Sequence, residues 1–390
     1  MNQHKLILPT IVISQFCCTT LWFASNGVMP NLIANFNLTE AALGTITISV
    51  QFGFIIGTLL FAILNIADRF SPAKVFLICA IIGAIFNAGL IWDDNTLESI
   101  LIFRFLTGFF LAGIYPVGMK IAADHFEKGL GKSLGFLVGA LVIGTAFPHL
   151  LKDLTEAFNW SSVVLLTSFF ALLGGILMFV YVPNGPYRKH SQKLDLSVFF
   201  SVFKNHDFRS ASFGYFGHMW ELYTFWAFVP LILKTYTIEH SQVEFNIPLM
   251  SFFIIGIGGL GCILGGYLSE IFGIKRTATI ALLLSFGCCL FSPFIFSTSS
   301  PAFFISFLLF WGIVVIADSP LFSTLVAQNT APEIKGTALT IVNCIGFSIT
   351  IISIQLLNGI SDWTDSNYIY TLLALGPFLG LIALRDRNKL

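Results

Sequence analysis

The residues that could carry chemistry are concentrated in one stretch, Ser212–Pro230. It is largely apolar, yet Glu221 lies near its middle and His218 precedes Glu221 by three residues. Residues three apart share a face of a helix. If that helix crosses a bilayer, a carboxylate at this depth costs roughly 2.5–3.5 kcal/mol and normally faces a water-filled cavity or a bundle interior. Glu221 and His218 are therefore predicted to lie on a substrate or proton pathway. The alternative is a protonated Glu221 that only cross-links helices.

Aromatic side chains surround this pair. Trp220, Tyr223 and Trp226 all lie within five residues of Glu221, so a helix would place aromatic surface beside the two ionisable groups. Aromatic rings pack favourably against other rings and apolar carbons. Trp220 and Tyr223 are therefore assigned to the same pathway, as residues that could contact a substrate.

Arg104 is a second charge inside an apolar segment. Helical spacing places it on one stripe with Thr107, Gly108 and Tyr115. An arginine at membrane depth indicates an anion site or a partner in a proton relay. Its other possible role is to bond carbonyl groups of a neighbouring helix. Arg104 and Tyr115 are predicted to belong to the pathway.

Two further segments present polar residues on one face. Asp318 shares a face with Trp311 and is followed by Ser319-Pro320, so it could line the pathway or merely cap a broken helix. In the first apolar segment a polar stripe predicts a cavity lining or a helix contact. The residues of that stripe assigned to the pathway are Gln15, Trp22 and Asn26.

The elements that position these residues follow from composition. The chain has 390 residues, 56% hydrophobic and only 10% charged, whereas soluble domains average about 25% charged residues. Apolar segments of about 20 residues recur, the length that crosses a bilayer as a helix. Twelve spans are predicted, at 6–27, 42–66, 73–92, 98–122, 131–151, 161–183, 208–234, 247–270, 276–296, 301–326, 336–358 and 366–385.

The distribution of basic residues predicts the orientation. With a cytoplasmic N-terminus, 17 of the 20 Lys and Arg residues fall in cytoplasmic segments. Lys152 and Lys234 fall outside, and Arg104 lies within the membrane. Because short cytoplasmic loops carry an excess of Lys and Arg, both termini are predicted to be cytoplasmic in a multi-pass protein of the inner membrane.

The two halves of the sequence resemble each other. The pattern of Gly108–Pro116 recurs at Gly312–Pro320, and Pro30 and Pro230 close the first and seventh predicted helices. The predicted fold class is therefore an all-α polytopic membrane protein, with twelve transmembrane helices as two six-helix pseudo-repeats. Parallel repeats of this kind bind substrate near the bilayer midplane.

One longer polar segment separates the halves. The predicted organisation is an N-terminal six-helix bundle over 1–183, a cytoplasmic linker over 184–207 and a C-terminal six-helix bundle over 208–390. The later part of the linker, Leu194–Phe203, is amphipathic and is predicted to lie as a helix on the lipid surface.

Two loops at equivalent places carry an acidic residue followed by basic ones. They are Asn65–Lys74, after the second predicted helix, and Gly266–Arg276, after the eighth. An acid at a helix end beside basic groups can lock neighbouring helices through charge-assisted hydrogen bonds. The residues concerned, called here the latch residues, are Asp68, Arg69, Lys74, Glu270, Lys275 and Arg276.

These loops resemble the cytoplasmic signature Gly-x-Leu-x-Asp-Arg-x-Gly-Arg-Lys of the major facilitator superfamily. The second loop has Glu270 in the Asp position, and the first has Leu64 and Ser71 in the Gly positions. The segment Arg104–Gly108 is similar to the family motif Arg-x-x-Gln-Gly, with Thr in the Gln place. The resemblance covers essentially the whole chain. It implies that the latch residues stabilise the outward-open state.

The resemblance also implies that the first, fourth, seventh and tenth helices line a central cavity. In this sequence these helices hold Arg104, Glu221 and Asp318, the three charges nearest mid-membrane. The function expected is that of a secondary active transporter, working by alternating access and coupled to protons. Its substrate is expected to be a small organic solute, and Arg104 could meet an anionic group on it.

Other functions have less support. Efflux of drugs or metabolites by proton antiport is the alternative, but the family's fifth-helix antiporter motif is only half present, with Pro148-His149 in place of the expected glycines. An enzyme is not expected, because no paired His or Cys spacing indicates a metal site and no phosphate-binding loop is present. No cofactor and no nucleic-acid partner are expected. The expected partners are a small-molecule substrate, protons and the lipid bilayer, and the protein is expected to be a monomer.

Overall fold

The structure is a computed structural model that describes residues 3–126, 130–155, 157–188, 199–331, 334–361, 363–364 and 366–385. These residues are almost entirely helical, and no strand occurs among them. Each of the twelve predicted spans coincides with one or two helices, so the all-α membrane fold is confirmed. Of the predicted amphipathic linker helix, residues 199–203 lie within the described residues, and Phe199–Val202 is helical.

The helices fall into two compact units. Unit 1 comprises Met1–Lys193 and Asn246–Gly256, and unit 2 comprises Leu194–Phe245 and Ile257–Leu390. The domain boundaries expected from the sequence remain predictions. The helices before the linker are α1 (Gln3–Thr19), α2 (Ala24–Gly27), α3 (Met29–Asn35), α4 (Ala42–Ile63), α5 (Ile66–Arg69), α6 (Pro72–Ala88), α7 (Leu97–Leu111), α8 (Tyr115–His125), α9 (Leu130–Leu154) and α10 (Ser161–Tyr181).

The later helices begin with a short one in the linker. Two segments, Gly89–Ile91 and Asn367–Ala374, are 3₁₀ helices. The remaining α-helices are α11 (Phe199–Val202), α12 (His206–Glu239), α13 (Ile247–Gly256), α14 (Gly258–Phe272), α15 (Ile274–Phe296), α16 (Pro301–Ala317), α17 (Ser319–Gln328), α18 (Lys335–Ser361) and α19 (Leu375–Leu384).

Ten helical segments of the described chain are long and apolar enough to cross a membrane. The two predicted spans outside this set differ from the others for physical reasons. The first is divided, because α1 ends at Thr19 and α2 begins at Ala24. The seventh corresponds to α12, which is continuous for 34 residues and carries many polar side chains. The chain is thus a multi-pass integral membrane protein.

The fourth and tenth spans are interrupted at matching places. Helix α8 begins at Tyr115 with Pro116 in its first turn, and α17 begins at Ser319 with Pro320 in its first turn. Proline has no backbone N–H and suits the first turn of a helix, while it disfavours helix in the residue before it. The recurring glycine–proline pattern in the sequence therefore marks a structural break in each half.

Glycines bring neighbouring helices into close contact in both units. A Cβ added at Gly53 would lie 1.9 Å from the carbonyl oxygen of Phe105, and one added at Gly57 would lie 2.4 Å from that of Phe109. The same contacts recur 208 positions later, where Gly261 meets Ile313 and Gly265 meets Ala317. Small residues spaced four apart let helix backbones approach closely in membranes. The repeat is therefore visible in the packing of α4 on α7 and of α14 on α16.

We predict that Gly108→Ala lowers the thermal stability of the purified protein. A Cβ at this position would lie 2.0 Å from the backbone oxygen of Val50, so α7 would have to move away from α4. Overpacking of this kind costs about 1–3 kcal/mol. Gly287→Ala in α15 is the matched control, since nothing lies within 4 Å of a Cβ there. Equal melting temperatures for the two variants would contradict the prediction.

Candidate functional site

Helix α12 carries the central residues of unit 2. Its first turn is capped by Asn205, whose side-chain oxygen accepts from the backbone N–H groups of Asp207 and Phe208. His218 and Glu221 lie well inside the helix, and both are 1% exposed. They are one turn apart, as predicted, but they contact different groups.

The Glu221 carboxyl group ties three helices together. Its Oε1 accepts a hydrogen bond of 2.5 Å from the Ser285 hydroxyl of α15 and one of 2.6 Å from the Trp311 indole N–H of α16. The Trp311 ring stacks on Phe225 with centroids 4.4 Å apart. Since both donors meet the same carboxyl oxygen, this arrangement fixes Trp311 and α15 against α12.

His218 and Asp318 form the second polar contact of α12. The His218 Nδ1 and Asp318 Oδ1 atoms are 2.8 Å apart, and both side chains are 1% exposed. Asp318 lies between α16 and α17, and its side chain makes no capping hydrogen bond to α17. Within the described part of the chain, His218 Nε2 and Asp318 Oδ2 have no hydrogen-bond partner. Two buried atoms that can bind a proton are therefore left open.

The aromatic residues of α12 face different neighbours. Trp220 is half-buried, and its indole N–H donates to the Leu372 carbonyl at 3.0 Å, so it joins α12 to the last 3₁₀ segment. Tyr223 is buried, with its ring centroid 5.3 Å from those of both Trp226 and Phe347. Of the two aromatic residues assigned to the pathway, Trp220 makes its hydrogen bond to this terminal segment and Tyr223 packs among buried rings.

Arg104 in unit 1 is fully buried and bonded to the break in the first span. Its Nη2 donates to the carbonyl oxygens of Leu21 at 3.0 Å and Trp22 at 2.5 Å, and its Nη1 donates to Asn87 Oδ1 at 3.0 Å. Leu21 and Trp22 lie between α1 and α2. Neighbouring side chains satisfy backbone groups at such breaks within membranes. The structure thus places Arg104 on carbonyl groups, the second of the two roles considered above. Its Nε has no partner among the described residues.

Asn87 of α6 supports this arrangement. Its amide nitrogen donates to the Val164 carbonyl, the Thr167 hydroxyl and the Ser168 hydroxyl of α10, at 3.2, 3.1 and 3.0 Å. Its oxygen accepts from Arg104. One buried amide therefore links the guanidinium to α10. Sequence reasoning missed Asn87, although an Asn inside a predicted apolar span was a usable signal.

The polar stripe of the first span divides among several neighbours. Asn26 donates to the Thr47 hydroxyl of α4 at 2.9 Å, and the Trp22 ring lies 4.8 Å from that of Phe54. Gln15 is fully buried beside α8, close to Gly118. Tyr115, predicted on the Arg104 stripe, is half-buried and begins α8.

The latch residues of unit 1 form part of a polar network. Asp68 Oδ1 lies 3.0 Å from Lys120 Nζ, and Arg188 donates to the backbone oxygens of Asp68 and Phe70, both at 2.9 Å. Lys120 and Arg188 were not assigned to the latch from the sequence. Arg69 and Lys74 are exposed, as are Glu270 and Arg276 in unit 2, where Lys275 is half-buried.

Sequence comparison identifies the family. The model of the Major Facilitator Superfamily matches residues 11–354, which is most of the chain. The chain belongs to the major facilitator superfamily. The resemblance inferred from the two loop motifs is thereby confirmed.

Two curated transporters match parts of the sequence. An uncharacterised transporter of Methanocaldococcus jannaschii is 24% identical over 58% of this chain and 57% of its own length. The 4-hydroxybenzoate transporter PcaK of Acinetobacter baylyi is 25% identical over 41% of this chain and 35% of its own length. The chain thus spans about half or less of the curated relatives it matches.

Solved structures of the superfamily match almost the whole chain. The inward-open xylose transporter XylE of E. coli has a TM-score of 0.77 at 16% identity, with 98% of this chain and 95% of that chain covered. The nucleoside transporter NupG, solved as a point mutant, has a TM-score of 0.74 at 15% identity, with 98% of each chain covered. At these identities the likeness concerns the fold.

We predict that Arg104→Lys lowers the melting temperature of the purified protein, measured in the absence of ligand. A lysine ammonium is a compact charge on a flexible stem and does not reproduce the planar fork that reaches two carbonyls and an amide. Each charge-assisted hydrogen bond that is lost is worth about 1.5–3 kcal/mol.

Arg209→Lys is the matched control, because Arg209 is exposed and donates to a single carbonyl, that of Phe203. An Arg104→Lys protein as stable as the Arg209→Lys protein would show that the guanidinium does not hold the break.

Proposed function

We propose that this protein is a proton-coupled secondary transporter of a small organic solute, working by alternating access. The observation that carries the proposal is the buried His218–Asp318 contact, in which Nδ1 and Oδ1 are 2.8 Å apart. Ionisable groups inside membrane segments are costly, and they mark proton relays and substrate pathways. Named members and neighbours of the superfamily carry xylose, nucleosides and 4-hydroxybenzoate.

The charge of the pair explains how a proton could be coupled to movement. With His218 neutral and Asp318 ionised, the pair carries one negative charge. A proton added to His218 Nε2 makes an imidazolium–carboxylate pair with no net charge. Burying an isolated charge costs far more than burying a neutral pair. The proton-loaded pair therefore passes more easily through a closed state.

Glu221 has a different role in this proposal. Its Oε1 is occupied by two donors, Ser285 and Trp311, whereas the pair has unpartnered atoms at His218 Nε2 and Asp318 Oδ2. We therefore assign proton coupling to the His218–Asp318 pair and make Glu221 a positioning residue for Trp311.

The remaining features of the proposal concern the membrane orientation, the latch residues and Arg104. We further propose that the protein is a monomer in the inner membrane with both termini in the cytoplasm, the orientation that the distribution of Lys and Arg predicts. Its latch residues bias the conformational equilibrium, with Asp68 paired to Lys120 at 3.0 Å. The proposal assigns no anion to Arg104, because both of its terminal nitrogens donate to protein oxygens.

We predict that Asp318→Asn abolishes accumulation driven by a pH gradient but leaves exchange at equal pH. Asparagine keeps an oxygen that can accept from His218, yet it cannot complete a neutral ion pair when a proton arrives. The measurement uses proteoliposomes and radiolabelled xylose, uridine and 4-hydroxybenzoate as probes. Asp207→Asn, an exposed carboxylate in the first turn of the same helix, should behave as the wild type. A pH-driven gradient in the Asp318→Asn protein would refute the assignment.

Glu221→Gln gives the opposite expectation. The glutamine oxygen can still accept from Ser285 and Trp311, so accumulation in response to the pH gradient should persist. Loss of the pH response in this variant, with exchange retained, would move the proton from Asp318 to Glu221. Uptake and exchange of the same three probes decide between the two carboxyl groups.

A further inference from the structure

Unit 1 contains two buried glutamines that make no hydrogen bond within the described part of the chain. Gln15 of α1 and Gln51 of α4 are both 0% exposed, and neither the oxygen nor the nitrogen of either amide has a partner there. Buried polar groups in folded proteins are nearly always paired, because leaving a donor or acceptor unpaired is costly. Two buried amides whose four polar atoms lack hydrogen-bond partners among the described residues therefore require an explanation.

Gln51 faces the divided first span. It lies between Thr47, which accepts a hydrogen bond from Asn26, and Phe54, whose ring contacts Trp22. Residues three and four apart share a helix face, so Gln51 is placed on the face of α4 that meets the first span. Thr58 continues this face by one turn, and its buried hydroxyl is also unpartnered among the described residues.

Gln15 precedes Trp22 by seven residues on the first span, and α1 ends between them at Thr19. Room for its side chain depends on α8, where Gly118 has no Cβ. A Cβ at Gly118 would lie 2.2 Å from Gln15 Oε1. The order along unit 1 is thus an open amide at Gln15, the buried Trp22 indole and an open amide at Gln51.

The chemistry of the two amides restricts what could bind them. Each side chain offers an oxygen that accepts and an NH₂ group that donates. A carboxylate or phosphate supplies acceptors only, so it would leave the amide oxygen that it meets unpaired. A hydroxyl or an amide supplies a donor and an acceptor, and can therefore satisfy both atoms of each glutamine.

We propose that Gln15 and Gln51 are substrate-recognition residues that select a neutral solute with hydroxyl or amide groups at both ends. This inference rests on the transport function proposed above and names the class of solute. Trp22, between the two amides, provides an apolar surface for the middle of the solute.

The first test needs no ligand. Gln15→Met and Gln51→Met replace an unpaired amide by an apolar side chain of similar shape, so the melting temperature of the purified protein should stay equal or rise. Asn87→Leu is the control, since that amide makes four hydrogen bonds and its removal should lower the melting temperature. A decrease in both Met variants as large as in the control would show that the glutamines are structural, and would overturn the inference.

The second test measures binding by thermal shift with uridine, xylose and 4-hydroxybenzoate as probes. Uridine, which carries hydroxyl and amide groups at its two ends, should stabilise the wild type most. Its apparent Kd should weaken by about tenfold or more in each Met variant, because polar groups of the solute lose their partners. The inference is overturned if only 4-hydroxybenzoate stabilises the wild type, if no neutral probe does, or if uridine binds both Met variants as well as it binds the wild type.

Thermal shift requires no pH gradient, so the two proposals fail separately. Uridine binding through the glutamines without pH-driven accumulation would refute the proton coupling and leave the solute class intact. Accumulation of a probe in response to a pH gradient, with binding of that probe unchanged in both Met variants, would support the proton coupling and refute the role of the glutamines.

Discussion

The structure depends on how buried polar groups obtain hydrogen-bond partners inside the membrane, where water is scarce. The clearest case is the division of the first span, which leaves the carbonyl groups of Leu21 and Trp22 at a helix break. Arg104 supplies hydrogen bonds to both carbonyls, and Asn87 joins the guanidinium to α10. In hydrocarbon an unpaired backbone group costs several kcal/mol. The hydrogen bonds that Arg104 of α7 donates therefore stabilise the break.

The same constraint separates structural residues from candidate functional ones. Asn87 has four hydrogen bonds and Glu221 has two donors on one oxygen, so these groups hold helices together. Asp318 and Gln15 retain buried atoms without a partner in the described part of the chain. Such atoms carry a cost in the folded protein that a bound proton or solute would relieve.

Features that depend on local sequence were predictable, and those that depend on distant partners were not. The length of the spans follows from hydrocarbon thickness. The helix breaks near Pro116 and Pro320 follow from the backbone of proline, and the structure has breaks there. The spacing of His218 and Glu221 placed them one turn apart but could not supply Asp318 and Ser285, which come from other helices. Gln51 was overlooked because the sequence does not show whether a buried amide in an apolar span has a hydrogen-bond partner.

The two units share helix packing but place different hydrogen-bonding groups on it. The close contact of Gly53 with Phe105 recurs 208 positions later as the contact of Gly261 with Ile313. The packing of α4 on α7 in unit 1 is therefore repeated by that of α14 on α16 in unit 2. The separation of Pro30 and Pro230 places Glu221 where the first unit has Leu21. In unit 1 the fourth span donates from Arg104 to the backbone oxygen of Leu21, and in unit 2 the tenth span donates from Trp311 to the side chain of Glu221. A donor on one helix and an acceptor on the other are thus kept in both halves. In unit 2 the acceptor is a side chain, and α12 is continuous through to Glu239.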